Sequence, residues 1–480
     1  MRREKHWSFI SLVERQMRGE EMRDTVTDTL ARHVAEASAH RMPESALVAA
    51  RRVMLDATGV MLGASGLAAE AQPFVDLARS QGKGPATILG TPYTAPATAA
   101  ALANGAFAHA LDFEDAFELS PGHPNASLVP ALLALAQTQG PVEGRRFLTA
   151  LAVGGDMACR LALALDQPME QGGWYPPPIL AGFGAVAGCA NLLQLDAEAV
   201  RDAFSLMLCQ VTMPGEIKYS AGTRIRAVRE AFPAQAAVQS CLLAKAGVTG
   251  FEQPLEGRAG FYALYANGNF DPNRLTAGLG CKFWIEDLTF KPWPSCRGTH
   301  AFIEMALALR EEHGFTAADL AEVDVRIDPV HTMLFEPQDI RRKPSNAIEA
   351  KFSIPFCLAL ALVRGRVSLD DFRDEDLADP QVLEVATRIS PIQGSDHEWQ
   401  RGRGGALSLK LVSGQVLGAQ IEHSLGSPEK PLSEEQLVDK FVMCVVKASS
   451  PLPEEEGRAL ATRILALDEC EDVGALFPPR

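Results

Sequence analysis

Between residues 25 and 266 the chain spells helix after helix without a polar face. Ala97–Ala110 holds mostly Ala, Leu and Phe, and Leu128–Ala136 carries no charge at all. Ala187–Leu195, Ala203–Cys209 and Ala234–Ala246 continue the pattern. A helix on a protein surface needs one polar side, and a helix that is apolar on most sides must be buried among other helices. Pro130 falls in the first turn of its helix, where a missing N–H costs nothing. The expected fold class is therefore mainly α. A large all-helical domain is joined by a smaller α+β domain that begins where the pattern breaks near Phe270.

In that second stretch Val323, Val325 and Ile327 alternate with Asp324, Arg326 and Asp328, as in a half-buried strand. Leu407, Leu409 and Leu411 alternate ahead of Ser413-Gly414 and a return through Val416, which reads as a hairpin. Residues 298–313 read as an amphipathic helix stopped by Gly314. From Pro431 the text is helical again, with a capping-box pattern at Ser433–Gln436. The expected division is an N-terminal extension (1–24), a helical domain (25–268), an α+β lid (269–424) and C-terminal helices (425–480) that return to the helical domain.

Forty-five basic residues against 60 acidic ones leave a net charge of −15. Nucleic acid and anionic membrane surfaces require a basic footprint, so neither is an expected partner. An anionic substrate would need a local basic pocket inside this negative envelope. Nine cysteines are scattered singly with no CxxC, which predicts reduced thiols in a cytoplasmic protein. Met1–Asp24 lacks the apolar core of a secretory signal. The uncharged stretches Leu119–Val142 and Gln171–Leu195 contain prolines and glycines and read as buried segments of a soluble fold, so no membrane span is expected.

Three segments could carry chemistry. His109-Ala-Leu-Asp112-Phe-Glu114-Asp115 puts three carboxylates at the end of an apolar helix, ahead of His123-Pro124. Acids there oppose the helix dipole, so they are poorly chosen for stability. The segment reads either as a solvated acidic loop with a chance histidine, or as placing Asp112 and His123 on one cleft wall as acid/base or orienting groups. Lys218-Tyr-Ser-Ala-Gly-Thr-Arg224-Ile-Arg226-Ala-Val-Arg229 holds four cations in twelve residues. It is either a solvated basic face or a carboxylate pocket, with Arg224 and Arg226 as substrate-binding groups. Lys291-Pro-Trp-Pro-Ser-Cys296-Arg297-Gly-Thr-His300 sets cations at a helix start, where an anion could bind. Cys296 reads there as a pocket-lining thiol and not as a nucleophile. Gly182-x-Gly184-xxx-Gly188 has the wrong spacing for a dinucleotide loop and no strand before it, so it predicts close helix packing.

Taken in order, these segments resemble the signatures of the MmgE/PrpD family. The resemblance rests on His109–Asp112 with His123-Pro124, on Lys218 with Ala246–Gly250, on Lys291–His300, and on Pro344–Ser353. It implies a helical domain built from both chain ends, a lid, a cleft between them, a homodimer, and neither metal nor organic cofactor. It also implies proton movement beside a carboxylate of a small di- or tricarboxylic acid. Asp112, His123, Lys218 and Lys291 match polar groups of the family's active site. Tyr175 stands where one family activity uses a histidine, and it could donate a proton. Arg224, Arg226, Cys296, Arg297 and His300 are the expected substrate-binding set. The implied function is a 2-methylcitrate dehydratase-like hydro-lyase. The alternatives are an epimerase or isomerase of an amino- or imino-dicarboxylate, and a non-catalytic polycarboxylate-binding homologue.

Overall fold

The computed structural model describes residues 24–120, 122–220, 222–394 and 404–479. Most of the expected 1–24 extension lies outside the described residues. Among the described residues, nine helices of eight residues or more form the first part: α1 (Val26–Glu36), α2 (Glu44–Leu67), α3 (Gln72–Ser80), α4 (Ala97–Ala110), α5 (Leu128–Ala136), α6 (Gly144–Leu163), α7 (Pro176–Leu192), α8 (Ala197–Leu208) and α9 (Ala231–Lys245). A small hairpin of β1 (Ala86–Thr87) and β2 (Thr94–Ala95), absent from the sequence reading, sits before α4.

Every residue of α5 and α7 is buried, and α4 is buried from Ala99 onward. Lacking polar faces, these helices are enclosed by α6, α9 and their neighbours. The glycines of α7 serve helix packing, as expected. A Cβ on Gly184 would stand 2.6 Å from the carbonyl oxygen of Gly154 on α6, and one on Gly188 would stand 2.8 Å from that of Ala150. Larger residues would force these two helices apart.

The second part contains α10 (His300–His313), α11 (Ile354–Arg364), α12 (Pro380–Thr387) and a four-stranded sheet. Its strands are β3 (Leu320–Ile327), β4 (Ile389–Gln393), β5 (Gly405–Leu411) and β6 (Val416–Ile421), in the order β4-β3-β5-β6. β3 and β5 are antiparallel, and β5 and β6 form the expected hairpin. β4, which the sequence reading did not identify, joins β3 in parallel. Pro391 can sit in β4 because an edge strand can leave one side of its backbone unpaired. The fold is mainly α with a small α+β part.

The C-terminal helices α13 (Glu434–Val445) and α14 (Glu454–Leu465) pack on α2. The approach of α13 is close: a Cβ on Gly59 would meet the Phe441 ring at 2.8 Å, and one on Gly63 would meet Cys444 at 3.2 Å. Ser433 and Gln436 form the capping box that starts α13. This return carries Lys440 into the interior of the first part, where its ammonium lies 2.5 Å from Asp56 on α2. No helix among the described residues is long and apolar enough to cross a membrane.

Candidate active site

The site is built around the turn that follows α4. Asp112 takes a left-handed backbone (φ +48°), which Asp tolerates better than most residues, and so reverses the chain directly after the helix. Asp112, Glu114 and Asp115 are all buried there. Three carboxylates at the negative end of a helix dipole, out of water, are untenable without compensation. Three buried lysines from distant segments supply it. Lys291 Nζ lies 2.7 Å from Asp112 Oδ1 and 2.8 Å from its carbonyl oxygen. Lys440 Nζ donates to the Phe113 carbonyl at 2.7 Å, and Lys351 Nζ donates to the Ala110 carbonyl at 3.3 Å.

This arrangement decides the ionisation states. Burial pushes the Asp112 carboxyl up, but the Lys291 ammonium, with His109, holds it below the usual value. Burial pulls Lys291 down, yet Asp112 and Glu114 keep it above the ordinary lysine value, so it stays cationic. Lys351 has weaker compensation, and burial takes it down to about 8. Asp115 is pushed up to about 7 by burial and by the nearby Asp56. Its Oδ2 accepts from Asn125 Nδ2 at 3.0 Å.

Two histidines complete the interior. His109 Nδ1 is hydrogen-bonded to Glu114, and its Nε2 to the guanidinium of Arg229. His123 Nδ1 lies 2.9 Å from Glu114 Oε1 and 2.9 Å from the Asp115 carbonyl oxygen. The two imidazole centroids are 5.0 Å apart. Burial and Arg229 take His109 down to about 3, so it is neutral at physiological pH. Burial would raise Glu114, but the two histidines and Lys291 hold it well below its ordinary value. Arg229 is fully buried and also meets Glu230 Oε1 at 3.2 Å, while Ser127 donates to Glu230 Oε2 at 2.6 Å.

Tyr175, at the start of α7, forms the boundary between this interior and a basic rim. The Arg229 guanidinium carbon lies 5.0 Å from its ring centroid, Lys218 Nζ 5.3 Å and the Arg226 guanidinium carbon 6.0 Å. Arg226 also lies over the Phe352 ring at 3.6 Å. No carboxylate among the described residues pairs with Arg226, and its buried Nε has no protein partner. Asp112 Oδ2 and Arg229 Nη2 are likewise buried without one. Buried polar atoms are nearly always paired in proteins, so a concentration of free ones marks a place built for a ligand.

The expected residues thus divide. Asp112, His123 and Lys291 meet on one turn, and Tyr175 links them through Arg229 to Lys218 and Arg226. Lys218 is at the rim, 21% exposed and 3.5 Å from Glu170. Cys296 is half-buried beside Lys291 and Asp112. Burial and the Asp112 charge raise its thiol above the ordinary value, which fits a lining residue and not a nucleophile.

Three expected binding residues lie elsewhere. Arg224 is 51% exposed and faces Asp374 at 3.4 Å, so it is a surface side chain. Arg297 is consumed by the protein: Nε donates to Glu118 at 2.5 Å, Nη1 to the Leu425 carbonyl at 2.8 Å and Nη2 to the Ser424 carbonyl at 3.0 Å. His300 accepts from Arg297 through Nδ1 at 3.2 Å and bonds the Ser295 carbonyl through Nε2 at 3.1 Å. Neither ring nitrogen nor the guanidinium remains for an anion, so the start of α10 is a structural clamp. The sequence did not reveal this because the partners of Arg297 are distant: Glu118 lies 179 residues before it and the two carbonyls 127 and 128 residues after it, and carbonyls leave no mark in a sequence.

Conversely, the sequence reading left out Glu114, His109, Arg229, Lys351, Lys440 and Asp56 as members of the site. The available signal was a charge set inside an apolar run, as for Asp56, the one charged residue between Val53 and Ala69. Ligand atoms of His109, Asp112, Glu114 and His123 lie within 4.8 Å of one another, a spacing that could hold a metal ion. Lys291 on Asp112 and Arg229 on His109 already supply two buried cations. A divalent ion would be forced against both, so the charge arrangement suits acid/base chemistry better than a metal centre.

The chain is similar to known proteins over most of its length. The chain is 25% identical over 476 residues to a cis-aconitate decarboxylase of Mus musculus, covering 95% of this chain and 93% of that one. It is 26% identical over 393 residues to the cis-aconitate decarboxylase of Homo sapiens, covering 79% of each. It is 26% identical over 383 residues to a 2-methylcitrate dehydratase of Cupriavidus necator, covering 74% and 76%. Residues 28–273 match the family model of the MmgE/PrpD N-terminal domain, and residues 293–465 match that of the MmgE/PrpD C-terminal domain. With both halves matched in order, the chain belongs to the MmgE/PrpD family.

Proposed function

We propose that this protein is a lyase acting on a small tricarboxylic acid by moving a proton at the carbon beside a carboxylate. One observation carries the reading. Lys291, His123 and Asp112 share one buried turn, and unpaired cationic groups, Arg226 and Arg229 Nη2, lie next to it. Arg226 presents a planar donor to a substrate carboxylate, with Lys218 as a point charge at the rim. His123 takes the proton from carbon. Lys291, held cationic by Asp112, stabilises the enolate-like charge that develops. Tyr175, beside Arg229, protonates the departing hydroxyl, which leaves as water. This sequence is the dehydration of a 2-methylcitrate-like hydroxy acid.

A second reading has the same groups deliver a proton to an unsaturated tricarboxylate while carbon dioxide departs. The nearly full-length similarity to a cis-aconitate decarboxylase favours it. Both readings need the same base, the same cation and the same carboxylate pocket. Incubation with citrate, 2-methylcitrate and cis-aconitate separates them by proton NMR. An unsaturated tricarboxylic acid formed from citrate or 2-methylcitrate supports dehydration, and a dicarboxylic acid formed from cis-aconitate with release of carbon dioxide supports decarboxylation. If every acid of the panel is returned unchanged, the lyase reading fails. The resemblance also suggests a homodimer, which sedimentation would test, and the singly scattered cysteines suggest a cytoplasmic location, which fractionation would test.

A further inference from the structure

Among the buried carboxylates that the scheme above leaves without a role, Glu114 has the most telling position. Glu114 touches neither the rim nor Lys291, yet it lies between the two histidines. The hydrogens of this chain follow from what each group is able to do. A guanidinium can only donate, so His109 Nε2 must accept from Arg229. His109 therefore carries its proton on Nδ1 and donates it to Glu114. Glu114, held ionised, is an acceptor only. The Asp115 carbonyl is also an acceptor only. Both lie 2.9 Å from His123 Nδ1, so that nitrogen must carry a proton. The remaining nitrogen of His123, Nε2, has no partner among the described residues and is the one left to exchange a proton with a substrate.

From this geometry we infer that Glu114 is the positioning residue of His123. Together with the Asp115 carbonyl, which accepts the Nδ1–H hydrogen bond, it holds the imidazole in its Nδ1–H form, and its charge stabilises the imidazolium that appears when Nε2 takes up a proton. Arg229 and His109 hold Glu114 in place from behind. Together Arg229, His109, Glu114 and His123 form an orienting chain that presents one basic nitrogen to the site. Both of its charged members are buried, so the chain is shielded from solvent.

The inference rests on the reading of His123 as the proton-transfer group, and its test separates the two. In protein labelled with nitrogen-15 at histidine, with the His123 signal assigned by its loss in His123→Gln, the wild type is expected to show His123 in the Nδ1–H form. An Nε2–H form would overturn the inference whatever the activity. In turnover, Glu114→Gln keeps the shape and removes the charge. It is expected to lower kcat by about 10²-fold and leave KM within about threefold, because Glu114 does not contact the substrate. Glu114→Asp, which restores the charge, should recover part of the lost kcat. Full kcat in Glu114→Gln would also overturn the inference. If the wild type turns over none of the acids, the lyase reading fails while the tautomer measurement still decides the role of Glu114.

Discussion

Asp115 is the group through which pH should act on stability. Burial, followed by the neighbouring Asp56, pushes its carboxyl from 3.8 up to about 7. Below about pH 4 the folded and unfolded chains both hold this proton. Between about 4 and 7 the unfolded chain has released it and the folded chain has not, so stability falls as pH rises. Above about 7 both are ionised and the penalty is constant. A difference of about three pH units at about 1.4 kcal/mol each puts the full penalty on the order of 4 kcal/mol. Asp115→Asn removes it. The amide oxygen can still accept from Asn125, and the new NH₂ occupies the place of Oδ1, which has no protein partner. For a chain of this size the unfolding entropy is on the order of 1 kcal/mol per degree. The melting temperature of the variant relative to wild type should therefore widen by about 2–3 °C between pH 5 and pH 8. Differential scanning fluorimetry of the two proteins side by side reads this, because nearly every other titrating group is shared. A gap independent of pH, or one that narrows toward pH 8, would refute the reasoning.

Other perturbations test the neighbouring groups. Lys291→Met should abolish turnover and cost about 3–5 kcal/mol of stability, because it strands the buried Asp112 carboxylate. Adding Asp112→Asn should return much of that stability and none of the activity, and equal melting temperatures for the single and double variants would contradict this. Arg226→Ala should raise KM by about 10–100-fold, the usual range for a lost charge-assisted hydrogen bond, whereas Arg224→Ala should leave steady-state kinetics unchanged. Prolonged chelation should leave turnover intact. Loss of activity that a divalent ion restores would favour metal binding at His109, Asp112, Glu114 and His123.

The fold was legible where one physical requirement dominated. Helices such as Leu128–Ala136 have no face to show water, so burial among other helices was the only available solution. The strands at 323–327 and 407–411 alternate because one side of the sheet is covered. β4 escaped notice because Ile389–Gln393 is short and contains Pro391, and only its edge position makes that acceptable. The candidate site was legible in part. Asp112 and His123 stood out because carboxylates at a helix C-terminus make poor sense for stability, and Lys291 because two prolines fix its surroundings. The cations that make the carboxylates tolerable come from positions 291, 351 and 440, and no local pattern announces that they converge. Arg224, Arg226 and Arg229 look alike as text. In the structure one is exposed, one lies on Phe352 and one is fully buried against His109. Arg226 lies within the single helical turn Ile225–Val228, and Arg224 and Arg229 flank it on either side, so each meets different surroundings.

The account depends on carbon-bound protons being exchanged at this turn. The direct measurement is incubation of an unsaturated tricarboxylate such as cis-aconitate in deuterium oxide, where hydration (the reverse of dehydration) and decarboxylation must each bond a solvent proton to carbon, followed by mass spectrometry and NMR of the product. Wild-type protein should place deuterium at the carbon beside a carboxylate, and His123→Gln should not, although it remains folded. Equal deuterium incorporation by His123→Gln, or wild-type product formed with no solvent deuterium on carbon, would contradict it.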